Sequence, residues 1–130
     1  MLRRKYRSRG VAALEFGLIL PLLMALLLGI IDYGYVFFVR LNMTNAAREG
    51  ARVGVTRQDP PLASSDAIAA ATTYLQTAGI TADVTATQPD DGTPEVTVTV
   101  TIPNFVPIIG FVPTPDNMSV SSTMRWELAP

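Results

Sequence analysis

Residues 16–31 read FGLILPLLMALLLGII without a charge, and apolar character continues on both flanks, over 11–14 and 33–39. A run of this length and purity predicts a membrane-spanning helix. Glu15 and Asp32 bracket it. At the helical rise they stand about 26 Å apart, near the roughly 30 Å of bilayer hydrocarbon, so each carboxylate can sit at its own interface. A buried core helix of a soluble protein is the weaker reading, because so small a remainder of chain could not cover an apolar cylinder this wide.

Beyond the run the pattern turns amphipathic. Over 41–55, Met43, Ala46, Ala47, Gly50 and Gly54 fall on one small-residue face, and Asn42, Asn45, Arg48, Glu49 and Arg52 fall on the other. This predicts a stalk that continues the membrane helix outward. The spacing of four in Ala46, Gly50 and Gly54 lets another backbone approach closely, and the expected partner is the chain's own sheet. Gly17, Pro21, Ala25 and Gly29 repeat that spacing inside the apolar run, a stripe suited to association between membrane helices. Pro21 removes the hydrogen bond to the Gly17 carbonyl and can kink the helix, although membrane helices tolerate proline.

Asp59-Pro60-Pro61 ends the long helix. Ser64-Ser65-Asp66 then predicts the cap of a short alanine-rich helix reaching about Ala78, stopped by Gly79, with Ile68, Ala71 and Leu75 facing inward. Strands are expected over 80–87, 95–102 and 118–128, the first two forming a hairpin across a Pro- and Gly-containing turn. In the second strand Val96, Val98, Val100 and Ile102 alternate with Thr97, Thr99 and Thr101, the pattern of a sheet covered on one face. The segment 103–117 is rich in proline and carries Phe105, Ile108, Ile109 and Phe111. Two readings stand for it: a surface that touches membrane or a partner, or a loop that tucks these side chains under the sheet. The fold class that results is α+β, a long N-terminal transmembrane and stalk helix packed against a small antiparallel sheet, with one short additional helix.

Charge orients this arrangement. The formal net charge of −1 conceals five basic residues (Arg3, Arg4, Lys5, Arg7, Arg9) before the first acid, whereas 58–130 holds eight acids against Arg125 alone. The positive-inside rule places the N-terminus in the cytoplasm and the acidic part outside. Tyr33, Tyr35, Phe37 and Phe38 suit the outer interface and equally suit helix packing. The acidic remainder, with no second basic cluster among aromatics, argues against nucleic acid. The leucine run is followed by no good cleavage site for a secretory signal peptidase, and Arg3-Arg4 is part of a general run of bases rather than an export signal.

Candidate chemistry is sparse. There is no cysteine and no histidine in the 130 residues, which removes thiol chemistry, the commonest neutral-pH base and the commonest transition-metal ligand. The lone lysine, Lys5, lies in the basic leader, far along the chain from any serine of the acidic part. Asp90, Asp91 and Glu95 lack the alternating pattern of a calcium loop and fit a solvated turn. Neither an enzyme, a cofactor, a metal site nor a small-molecule substrate is expected.

Before the span stands Arg9-Gly10-Val11-Ala12-Ala13-Leu14-Glu15-Phe16, a basic leader ending in glycine, then small and apolar residues, then glutamate. This resembles the class III signal of type IV pilins. The resemblance implies that a prepilin peptidase cuts after Gly10, making Val11 the new N-terminus and Glu15 the fifth mature residue. It also implies that Glu15 is neutralised by the α-amino group of a neighbouring subunit's Val11, fixing axial register; on the residues alone an interfacial glutamate reaching headgroup water serves as well. Over about residues 9–55 the chain looks like the TadE-like family. Gly10, Glu15 and Phe16 are followed by Pro21, then Asp32-Tyr33-Gly34, then Ala46-Ala47-Arg48-Glu49-Gly50-Ala51-Arg52; the related TadF-like proteins share the same start.

What the resemblance implies is a pilin-like fold and three segments: a leader over 1–10, a membrane helix and stalk over 11–57, and a small extracytoplasmic α+β part over 58–130. It implies a minor pseudopilin supporting assembly of a tight adherence pilus. The partners would be the inner membrane, the prepilin peptidase, other pilus subunits and the tight adherence assembly machinery. The alternative is an unprocessed, single-pass periplasmic adaptor of a secretion or envelope complex.

Overall fold

The computed structural model describes residues 5–57, 59–87 and 94–125. It contains α1 (Lys5–Val55), α2 (Pro60–Thr77), β1 (Asp83–Ala86), β2 (Glu95–Pro103) and β3 (Asn117–Arg125). The class is α+β, as the pattern of apolar positions predicts. The chain divides into two compact units, one made of residues up to Tyr35 with Pro107–Pro113, the other of Val36–Val106 with Thr114–Pro130.

In the first unit α1 passes through Pro21 without a break in its helical assignment. From Val11 to Ile31 its large apolar side chains are mostly exposed. An outward-facing apolar surface of this extent has no counterpart on an ordinary water-soluble helix, whereas hydrocarbon solvates it.

The second unit is built on β2, the middle strand of an antiparallel meander in the order β1-β2-β3. Val96, Val98 and Val100 are fully buried on one face of β2, and Thr97, Thr99 and Thr101 occupy the other. On that outer face Thr97 meets Thr123 across the ladder at 2.8 Å and Thr101 meets Ser119 at 3.2 Å, hydroxyl pairs that reinforce the register.

The buried face is covered by both helices. Val39, Met43, Ala46, Ala47 and Ala51 on α1 and Ala63, Ala67, Ala71 and Leu75 on α2 are buried, so alanine and glycine dominate the contact. A Cβ built on Gly50 would lie 2.7 Å from the Ala67 carbonyl oxygen and 3.0 Å from the Ala71 Cβ. One on Gly54 would lie 2.8 Å from Val96 Cγ1 and 3.1 Å from the Ala63 carbonyl oxygen. Glycine is therefore required where α1 touches α2 and β2; the small-residue face meets a helix as well as the expected sheet.

Two boundaries differ from the expectation. α2 begins at Pro60 rather than at the Ser64-Ser65-Asp66 cap; Asp59 is its N-cap residue and makes no side-chain capping bond. Proline at the first helical positions loses nothing, since those N–H groups have no intrahelical acceptor and the ring already holds a helical φ. Ser64 and Ser65 lie inside the helix and donate to the Pro61 and Leu62 carbonyls, and Ile68 is half-buried while Ala63 and Ala67 are buried. β1 is also shorter than 80–87. Gly79, at φ 70°, donates to the Gln76 carbonyl and Ile80 donates to that of Leu75, the paired bonds that close a helix C-terminus. Ile80 is thereby spent on ending α2. Asp90 and Asp91 lie outside the described residues.

Candidate functional site

The charge-free part of α1 ends at Ile31, and the next residue, Asp32, is fully buried. Burying a carboxylate demands that its lone pairs be satisfied. They are filled from far along the chain: Ile109 N–H donates to Oδ1 at 2.8 Å, and the N–H groups of Phe111 and Val112 donate to Oδ2 at 2.7 and 3.3 Å. Gly110, at φ 73°, allows the backbone to turn between these donors. The carboxylate thus acts as the cap of a loop, and charge-assisted bonds of this kind are roughly twice as strong as neutral ones.

The same loop presents its apolar side chains outward. Ile108, Ile109 and Phe111 are exposed, whereas Pro107 is buried. Of the two readings for 103–117, the structure divides the segment between them: Phe105 is buried in the second unit, where its N–H donates to the Asp116 carbonyl at 2.9 Å, and the residues from Ile108 to Phe111 face out.

Among the residues singled out from sequence, Gly10, Val11, Glu15 and Phe16 lie on exposed α1, with nothing within 4 Å of a Cβ built on Gly10. Glu15 makes no ion pair among the described residues. Gly17 and Pro21 are exposed, Ala25 and Gly29 half-buried, and Ala46, Gly50 and Gly54 buried. On the polar side of the stalk Arg52 pairs with Glu49 at 2.7 Å, an i, i+3 contact. The Arg52 guanidinium, by hydrogen bond and charge, holds the Glu49 carboxyl below its ordinary value. Arg57 pairs with Asp66 at 2.6 Å.

Two shallow depressions in the second unit, about 260 and 90 Å³, are lined by Asn42, Tyr74, Thr77 and Ala78 and by Thr72, Leu75, Gln76, Ile80, Thr81 and Ala82. None of these side chains is a carboxylate or a base. The described residues contain no cluster of acidic side chains arranged to hold a metal ion.

The role of Asp32 was not visible in the chain's local pattern, where it marks only the end of the apolar run.

No curated protein and no solved structure matches the chain. Residues 10–52, which carry the Gly10-to-Glu15 start, the apolar run, Asp32 and the Gly50 contact, match the family described as TadE-like protein: over this third of its length the chain is similar to TadE-like proteins.

Proposed function

We propose that the protein is a minor pilin-like subunit of a tight adherence pilus, stored in the inner membrane through α1 and drawn into the pilus or its assembly base. The observation that carries this reading is the exposed, uncharged helix surface over 16–31 directly behind the Gly10-to-Glu15 motif, inside the family match. A helix that is apolar all round can leave lipid for a bundle of other such helices without losing its surroundings.

On this reading a prepilin peptidase removes 1–10 on the cytoplasmic side, and the acidic part of the chain lies outside. Glu15, which has no ion-pair partner among the described residues, is neutralised by the Val11 α-amino group of the neighbouring subunit. Gly17, Pro21, Ala25 and Gly29 form the stripe through which membrane helices pack. The role is structural, and nothing in it calls for a catalytic group.

Intact mass of the membrane-extracted protein, from cells with and without the cognate peptidase, tests the proposal. Loss of residues 1–10 that depends on the peptidase, and that Gly10→Ala abolishes, is expected. Full-length protein in every case would overturn processing and favour a fixed periplasmic adaptor, the reading in which the helix never leaves the membrane.

A further inference from the structure

We infer that the loop Pro107–Pro113 is a lipid-dipping segment, held by Asp32 at the outer boundary of the bilayer that α1 spans. The inference rests on the membrane-span reading of α1 and adds a second, non-helical membrane contact to it.

Depth is the first argument. With Glu15 at one interface, the helix has risen about 26 Å by Asp32, which nearly uses up the roughly 30 Å of hydrocarbon. Asp32 therefore stands at the boundary, and the three bonds it accepts fix Ile109, Phe111 and Val112 at that level. Tyr33, immediately after it, is an aromatic of the type that favours headgroup depth.

Polarity is the second. Non-helical backbone is excluded from lipid chiefly because its N–H groups lack acceptors. Here Pro107 and Pro113 carry no N–H, and three of the remaining five residues donate to the Asp32 carboxylate. The segment has no charged residue, and Ile108, Ile109 and Phe111 are 64%, 43% and 53% exposed. A carboxylate that absorbs backbone donors while apolar side chains point away yields a surface that water solvates poorly and acyl chains solvate well.

Because the chain contains no cysteine, single reporters can be placed cleanly. The full chain would be reconstituted in phosphatidylcholine–phosphatidylglycerol vesicles with a bimane attached at Ile108→Cys, at Leu23→Cys within the span, or at Ser121→Cys on the sheet. Quenching by lipids brominated at shallow or deep acyl positions would be compared with quenching by aqueous iodide.

The expected result is deep-lipid quenching at position 23, shallow-lipid quenching with a blue-shifted emission at 108, and iodide quenching alone at 121. Adding Asp32→Ala should remove the lipid quenching at 108 and leave that at 23 intact. Iodide quenching at 108 equal to that at 121 would overturn the inference while leaving the span in place. A blue shift at 108 that grows with protein density and ignores brominated lipid would also overturn it, assigning the loop to a second copy of the chain. Unchanged quenching in Asp32→Ala would refute the tether. Absence of lipid quenching at 23 would instead refute the span reading itself, and the inference with it.

Discussion

Replacing Gly50 by alanine places a methyl group 2.7 Å from the Ala67 carbonyl oxygen, 3.0 Å from the Ala71 Cβ and 3.4 Å from Val98 Cγ1. The nearest of these atoms is backbone, so the clash is relieved only by displacing α2. Forcing a methylene into a well-packed core costs typically about 1–3 kcal/mol, while exchanging glycine for alanine inside a helix contributes about 1 kcal/mol in the opposite direction. The net loss against the parent should be about 0–2 kcal/mol, a fall in melting temperature of up to roughly 16 °C for a unit of this size, and against an unhindered glycine-to-alanine exchange the full cost of about 1–3 kcal/mol is read. Gly34→Ala supplies the reference, because a Cβ there meets nothing within 4 Å and only the favourable helix term remains. Scanning calorimetry of the full chain in detergent micelles would compare the two variants with the parent. Ala71→Gly added to Gly50→Ala should recover only part of the loss, since it leaves the Ala67 oxygen in place. A Gly50→Ala protein that melts as high as Gly34→Ala would refute the close approach of α1 to α2.

Gly79→Val should lower the melting temperature more than Gly79→Asn, because φ 70° costs a Cβ-bearing residue about 1–2 kcal/mol and asparagine tolerates that region best; equal effects would refute the helix-closing geometry. The Glu49 carboxyl, followed by NMR, should titrate below its ordinary value and move up in Arg52→Gln. With the folded value depressed, the pair's contribution is complete above the unfolded value and is lost as pH falls through the lower folded one. The Arg52 side chain is largely solvent-exposed and that of Glu49 partly so, so solvent screens the pair and the effect on stability is small, and identical titrations in the two proteins would refute the pair.

How much was legible depended on range. The membrane helix, the small-residue face of the stalk and the Val/Thr alternation of β2 are repeats along a single element, and periodicity reports them directly. Gly79 was legible for a similar reason, since only a local backbone requirement places it. The N-terminus of α2 was misplaced because two signals competed, and proline at the first helical positions outranked the serines that follow. β1 was overextended because Ile80 suits a strand and equally suits the residue that closes a helix. Asp32 was the least legible: its partners lie 77 to 80 residues away, and no pattern within one element encodes a bond between two. The division of 103–117 between a buried Phe105 and an outward-facing 108–111 was hidden likewise, because apolar composition does not say which side of a loop is covered.

The alanine-rich seam between α1, α2 and β2 has a thermodynamic consequence. Residues such as Ala46, Ala47, Ala63, Ala67 and Ala71 are fully buried, yet each withdraws little hydrocarbon from water compared with leucine or phenylalanine. Heat capacity of unfolding follows the apolar area exposed, and typical domains gain roughly 12–15 cal/mol/K per residue. The second unit should fall below that range. Its stability would then change slowly with temperature, a flat curve with a shallow maximum, resting on close atomic contact more than on the volume of its core.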